Sequence, residues 1–275
     1  MFLGLRLFFC RGQGVNILFN LFGGPIINAA YGIANQVNSA IVNLVNNFTT
    51  ALNPSIIKSY ATGQKDYMMS LVYQGARFSY YLVLLFTMPI FLETEYVTLL
   101  WLDQIPDYSV AFIRLMLLYS LIDSLSKTIM AGVHASGNIK LYQIVVGSFQ
   151  IIILPVAYYL LKIGYSPNVV LFFMVIIDIL AVFARMIIAK RIFGLSFSVY
   201  LIQVIVRVIL VTVGALVIPL VLRLYLDDSL CRFFIVVIVS LITTSLSILY
   251  VGCTYSERQI ILKKIQGMLY RVKKE

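Results

Sequence analysis

Long uninterrupted apolar stretches constrain this chain more than any other feature. About eight run at 3–22, 27–54, 68–92, 108–132, 140–161, 168–189, 200–224 and 231–253. A helix needs roughly 17–25 mostly apolar residues to cross the hydrocarbon of a bilayer. The first stretch is the weakest, being interrupted by Arg6, Arg11 and Gln13. The chain as a whole is 61% apolar and only 12% charged, and its mean hydropathy is +0.96. A soluble fold of 275 residues has too little interior to hide that much apolar surface. A water-soluble globule, a disordered chain, a collagen and a disulfide scaffold are therefore excluded. In lipid, backbone polar groups are satisfied only by helices or closed barrels. A barrel would need alternating segments of roughly ten residues, whereas these runs are continuous. The expected fold is an all-α, polytopic transmembrane helix bundle.

Punctuation and charge support that division. Gly23-Gly24-Pro25, Asn53-Pro54, the polar stretch Ala61 to Asp66, Pro106, Gly137-Asn138 and Ser166-Pro167 mark the boundaries. Pro89, Pro155 and Pro219 fall near span ends, where a kink costs less. Net charge is +10, and the basic residues concentrate in alternate loops. One set holds Arg6, Arg11, Lys58, Lys65, His134, Lys140, Lys190 and Arg191, and ends with a tail carrying Arg258, Lys263, Lys264, Arg271, Lys273 and Lys274. The other set holds Glu93, Glu95, Asp103, Asp107, Asp227 and Asp228, with Lys162 its one cation and Arg223 and Arg232 at its margin. Positive residues mark cytoplasmic loops, so both termini are expected in the cytoplasm. The positive charge is read as facing anionic lipid rather than nucleic acid, for which no basic fold motif is present. The tail repeats Ile260, Ile261, Ile265, Met268, Leu269 and Val272 at helical spacing, the pattern of an amphipathic helix on the membrane surface. Cys10, Cys231 and Cys253 lack metal-ligand spacing and are read as small buried hydrophobes. Residues Met1 to Phe9 lack the basic start and cleavage site of a signal peptide.

The second span carries the most informative pattern. On a wheel of 100° per residue, Asn28, Asn35, Ser39, Asn43, Asn46, Thr50 and Asn53 fall within an arc of about 80°. A polar stripe of this length is costly against lipid and must face water or another helix. Both readings stand: a wall of a hydrated cavity offering hydrogen bonds to sugar or phosphate, or a hydrogen-bonding seam between helices. Six charges are read as lying inside spans: Arg77, Arg114, Asp123, Lys127, Asp178 and Arg207. Asp123 and Lys127 are spaced for pairing along one helix face. Asp178 is read as lacking a partner in its own helix and as pairing with a cation from another span or taking up a proton. Arg77 and Arg207 either reach back to the interface or receive a phosphate, whose oxygens suit the guanidinium fork. No nucleophile–base set, phosphate-binding glycine loop or metal cluster is evident, so neither an enzyme, a cofactor nor a metal is expected.

Three stretches together resemble one family. They are QGVNILFN running on through GGPIINAAYGIANQVNSAIVNLVNNFTTALNPSIIKSYATGQ (13–64), LLWLDQIPDYSVAF (99–112) and SGNIKLYQIVVGS (136–148). They resemble the Wzx-type polysaccharide flippases of the multidrug/oligosaccharidyl-lipid/polysaccharide exporter superfamily. The resemblance extends to about residue 225 and is most specific in the first stretch. It implies a MATE-like fold and movement of undecaprenyl-diphosphate-linked oligosaccharide units across the bacterial inner membrane, by alternating access between two six-helix lobes. Full-length members are nearly twice as long, and the QGVNILFN-like stretch opens their second lobe. On that basis residues 1–192 correspond to the C-terminal lobe, 193–254 to two appended helices and 255–275 to the cytoplasmic tail. A separate chain would then supply the first lobe, and the partners would be the bilayer and the lipid-linked oligosaccharide. The implied substrate cavity is assigned to Asn28, Asn35, Ser39, Asn43, Asn46, Arg77, Asp123, Lys127, Asp178 and Arg207. The alternatives are a multidrug-type exporter, a half-protein that does not transport and, in another class, a membrane glycan polymerase. The acidic loop at 93–107 is short and has no His, which disfavours the last.

Overall fold

A computed structural model describes the backbone of residues 2–102 and 104–272, and the side chains of residues 12–102, 104–264, 266 and 267. Arg6, Cys10, Arg11, Asp103, Ile265, Met268, Leu269, Arg271, Val272, Lys273 and Lys274, all used above, lie outside the described side chains. Every element among the described residues is helical: α1 (Phe2–Ala61), α2 (Lys65–Leu92), α3 (Thr94–Leu102), α4 (Ser109–Ser124), α5 (Lys127–Ala135), α6 (Lys140–Lys162), α7 (Pro167–Phe193), α8 (Phe197–Tyr200), α9 (Arg207–Tyr225), α10 (Leu230–Ser247) and α11 (Tyr255–Val272). A π-helical turn, Leu201–Val206, joins α8 to α9, and a second, Ile248–Gly252, extends α10.

Seven of these segments are long and apolar enough to cross a membrane: Gly12–Ala61, Lys65–Leu92, Ser109–Ala135, Lys140–Lys162, Pro167–Phe193, Phe197–Tyr225 and Leu230–Gly252. The chain is a multi-pass helical membrane protein. The first of the seven spans two of the stretches read from the sequence, and it is not straight. Gly24 takes φ 66° and ψ −165°, a conformation outside the helix, and Pro25 follows it. That backbone region is essentially reserved for glycine. Twelve residues of straight helix would separate Phe19 and Tyr31 by about 18 Å along the axis. Their rings instead meet edge-on with centroids 5.1 Å apart. The chain therefore bends sharply at the Gly23-Gly24-Pro25 boundary, giving two arms.

The two arms share α4 as a neighbour, and the first also meets α6. In the first arm a Cβ on Gly14 would fall 2.5 Å from Leu154 of α6, and Phe22 meets Tyr158 of the same helix. The second arm turns Ile27, Ala30, Tyr31, Ala34, Ile41, Val45 and Ile56 into the core. Helix α1 as a whole packs on α2, α4, α5 and α6, and Phe19 of the first arm sits between Tyr31 of the second arm, edge-on, and Phe112 of α4, stacked. Helix α7 covers α4, α5 and α6.

The α9–α10 hairpin docks on α2 and is fastened at both ends. At one end Arg232 Nη2 lies 3.2 Å from Glu93 Oε2, and Arg223 Nη2 lies 3.9 Å from Glu95 Oε2. Arg114 also reaches Glu95, at 3.2 Å. At the other end Arg77 of α2 meets Glu257 of α11 at 2.5 Å. The connections gather Lys58, Lys65, His134, Lys140, Lys190 and Arg191 at this second end. Cys253 is buried, as the sequence suggests, whereas Cys231 is exposed beside the acidic turn at the opposite end. Its burial reading is thus corrected: a short helix-start position beside Asp227 and Asp228 has nothing packed over it.

Candidate functional site

The span Ser109–Ala135 is interrupted, and the interruption positions the densest group of charges. Helix α4 ends at Ser124 and α5 starts at Lys127. A break in a membrane helix frees backbone groups that need new partners. Tyr200 supplies one by donating its hydroxyl to Leu125 O at 2.5 Å. Thr128 ties the first turn of α5 to α2 by donating to Val72 O at 2.9 Å. Ser126 turns its Oγ inward, where it accepts a hydrogen bond from Arg185 Nη1.

Four charges surround this break. Lys127 Nζ lies 2.7 Å from Asp123 Oδ2, so the pair expected along one helix face forms across the break between α4 and α5. Arg185 Nη1 lies 3.5 Å from Asp123 Oδ1 and 3.6 Å from Asp178 Oδ1. Asp178 and Arg185 are both deeply buried, at 1% and 6% exposure. Two acids and two bases make the group formally neutral, the condition under which buried charge is tolerable. The cation facing Asp178 thus comes from its own helix, which corrects the reading that none was available there. Arg185 was missed because neighbours on a helix are usually sought three or four residues apart. A separation of seven residues is two turns and also returns to the same face. That spacing was the available signal.

The second arm of α1 presents the polar stripe outward. Ser39, Asn43, Asn46 and Thr50 are exposed on the described chain, and Asn35 is half-buried. Gln36 and Asn47, not singled out from the sequence, are exposed beside them and widen the face. The stripe's ends turn inward. Asn28 and Asn53 are half-buried, and each keeps a buried Oδ1 with no hydrogen-bond partner among the described residues. Asn38, just off the stripe, is used for packing and accepts a hydrogen bond from Ser120 of α4. The seam reading therefore fits Asn38, whereas the central stripe touches no other described helix through a hydrogen bond.

The stripe and the charge group meet. A cavity of about 190 Å³ is lined by Asn46, Thr50 and Asn53 of α1 and by Lys127 and His134 of α5. Lys127 lines this cavity while pairing with Asp123. It connects the exposed amide face to the buried pair behind it. Asn43, Ser39 and Asn35 continue the face away from the cavity at helical spacing.

The structure does not bring all the expected residues together. Arg77 and Arg207 lie in a separate cleft of about 260 Å³ with Gln203 and Glu257, between α2, the start of α9 and the start of α11. Arg114 belongs to the clamp on Glu95. Among the described residues no group of three or more His, Cys, Asp or Glu side chains is placed to hold a metal ion. Comparison with protein-family models, with curated proteins and with solved structures gives no match.

Proposed function

We propose that this chain is one half of a membrane translocator for lipid-linked oligosaccharides, acting in bacterial surface polysaccharide synthesis. One observation carries the reading. A membrane-helix face of amides and hydroxyls is left uncovered and leads, through Lys127, into a buried ion group. Such a face is costly against hydrocarbon, so it belongs to a water-filled path or to a second protein body. In a path, uncharged donors and acceptors suit a polyhydroxylated headgroup, and the Lys127 ammonium, paired with Asp123, has further N–H donors for a phosphate. Aromatic and acidic side chains, which would suit lipophilic cations, are not what lines it. The resemblance to the second lobe of Wzx-type flippases supplies the partner: a separate six-helix chain opposite the stripe. Eight crossings would place both termini in the cytoplasm of a cell whose inner membrane holds the complex, with the basic end of the bundle inside.

The test has two arms. The chain is co-expressed with the product of the neighbouring upstream reading frame in a strain lacking its own flippase, and surface glycan is measured. Restored glycan with the pair supports the proposal, and no rescue by either chain or by both overturns it. In the assembled protein, single cysteines at positions 39, 43 and 46 should react with a membrane-impermeant maleimide, while those at 41 and 45 should not. Equal inertness at all five would make the stripe a seam.

A further inference from the structure

The second cleft has no part in the proposal above, and its chemistry is different. Three helices converge on it. Helix α2 contributes Arg77, α9 begins with Arg207, and α11 begins beside Thr254, Ser256 and Glu257. The cleft lies level with the end of the α10 segment at Gly252, where the chain turns from a membrane-crossing segment into the basic, amphipathic α11.

Its charge is unbalanced in favour of cations. Glu257 is the one acid lining it, and both its oxygens are engaged. Oε1 accepts from Arg77 Nη2 at 2.5 Å, and Oε2 accepts from the Thr254 backbone N–H at 2.7 Å. The second bond is half of a capping box, completed by the Glu257 N–H to Thr254 Oγ1 at 3.4 Å. Arg77 is 3% exposed, yet its Nε–H has no hydrogen-bond partner among the described residues. A buried charged donor without an acceptor costs free energy until something accepts from it. Arg207 lines the same cleft and forms no ion pair among the described residues. Two guanidinium groups therefore share a cleft of about 260 Å³ with one committed carboxylate. Gln203, Gln74 and Ser70 add neutral hydrogen-bonding groups.

From this geometry we infer that the cleft between α2, α9 and α11 is a binding site for a phosphate group, held by the guanidinium groups of Arg207 and Arg77 that line it. Guanidinium forks match phosphate oxygens, and the positive end of the α11 dipole favours an anion nearby. An anionic lipid headgroup and a free phosphate anion offer this same chemistry. A headgroup there would join the bundle to α11 through one ligand.

The experiment uses the whole 275-residue chain in maltoside detergent, which contains no phosphate. Modification of Arg207 by phenylglyoxal is followed by peptide mass spectrometry. The detergent is used alone, doped with phosphatidylglycerol, or supplied with inorganic phosphate. Exposed Arg191, at the same end of the bundle, is the internal reference. Phosphatidylglycerol should slow modification of Arg207 about tenfold relative to Arg191, as expected for a charge-assisted contact. Arg207→Gln should lower the phosphatidylglycerol retained in native mass spectra by a similar factor. Protection by phosphatidylglycerol but not by inorganic phosphate assigns the site to a lipid, and protection by both assigns it to the phosphate group itself. Protection by neither, or equal protection of Arg191, overturns the site. Loss of glycan rescue in the previous test leaves this result unaffected, because the readout involves no transport.

Discussion

Replacing Arg185 with Met tests the ion group most directly. The guanidinium Nη1 stands 3.6 Å from Asp178 Oδ1, in a position that is 6% exposed, while Asp178 is 1% exposed. At an effective dielectric near 20, a charge pair at that separation is worth about 4–5 kcal/mol. Solvent screening is small at these exposures. The distance is too long for a strong hydrogen bond, so most of the attraction is between net charges. Asp123 keeps Lys127 at 2.7 Å and loses less. Arg185→Met is therefore expected to destabilise the bundle by about 3–5 kcal/mol, the range for removing one member of a buried pair. In a thermal melt in detergent this is about 6–20 °C, using the scaling for chains of this size. The double variant Asp178→Leu with Arg185→Met removes both charges and should recover most of the loss, because an apolar pair can replace a buried ion pair at little cost. Two results would refute the reasoning. Either Arg185→Met melts within about 1 kcal/mol of the parent, or the double variant is as unstable as the two single changes added together.

Two further perturbations probe the bend and the tail. Gly24→Ala forces a Cβ into the φ 66°, ψ −165° conformation and should cost about 1–3 kcal/mol in the same melt, whereas Gly32→Ala, a helical position with nothing within 4 Å of a Cβ, should be neutral or slightly stabilising; equal effects at both would argue against a strained bend. Glu257→Ala removes the partner of buried Arg77 and one half of the capping box, so trypsin cleavage at Lys263 and Lys264 in α11 should accelerate by about 10–100-fold as the helix opens more often, and unchanged cleavage would show that α11 is held by other contacts.

Much of this architecture was legible in the chain itself. Hydropathy decides that these segments are membrane helices, because backbone hydrogen bonds in lipid can close only within a segment or a barrel. Gly-Gly-Pro marks the bend in α1 because the required conformation admits glycine and a following proline ends helical continuity. The polar stripe could be read from periodicity alone, and its outward orientation follows from the apolar face opposite it, which the core takes up. Asp123 and Lys127 meet because they are close in sequence, although the helix breaks between them.

What tertiary structure decided was which charges share a neighbourhood. Arg77 and Glu257 are 180 residues apart, and no local pattern links them. Their contact depends on how the α9–α10 hairpin lies on α2 and where α11 starts. The same packing puts Arg77 and Arg207 in one cavity and Asn46 and Lys127 in another, although the sequence assigns all four to a single cavity. Arg185 reaches Ser126 because α7 lies against the broken α4–α5 span. Periodicity sets the face of a helix a residue occupies, since that depends on the backbone repeat. The partner opposite that face depends on helix rotation and crossing, which only the packing of the whole bundle fixes.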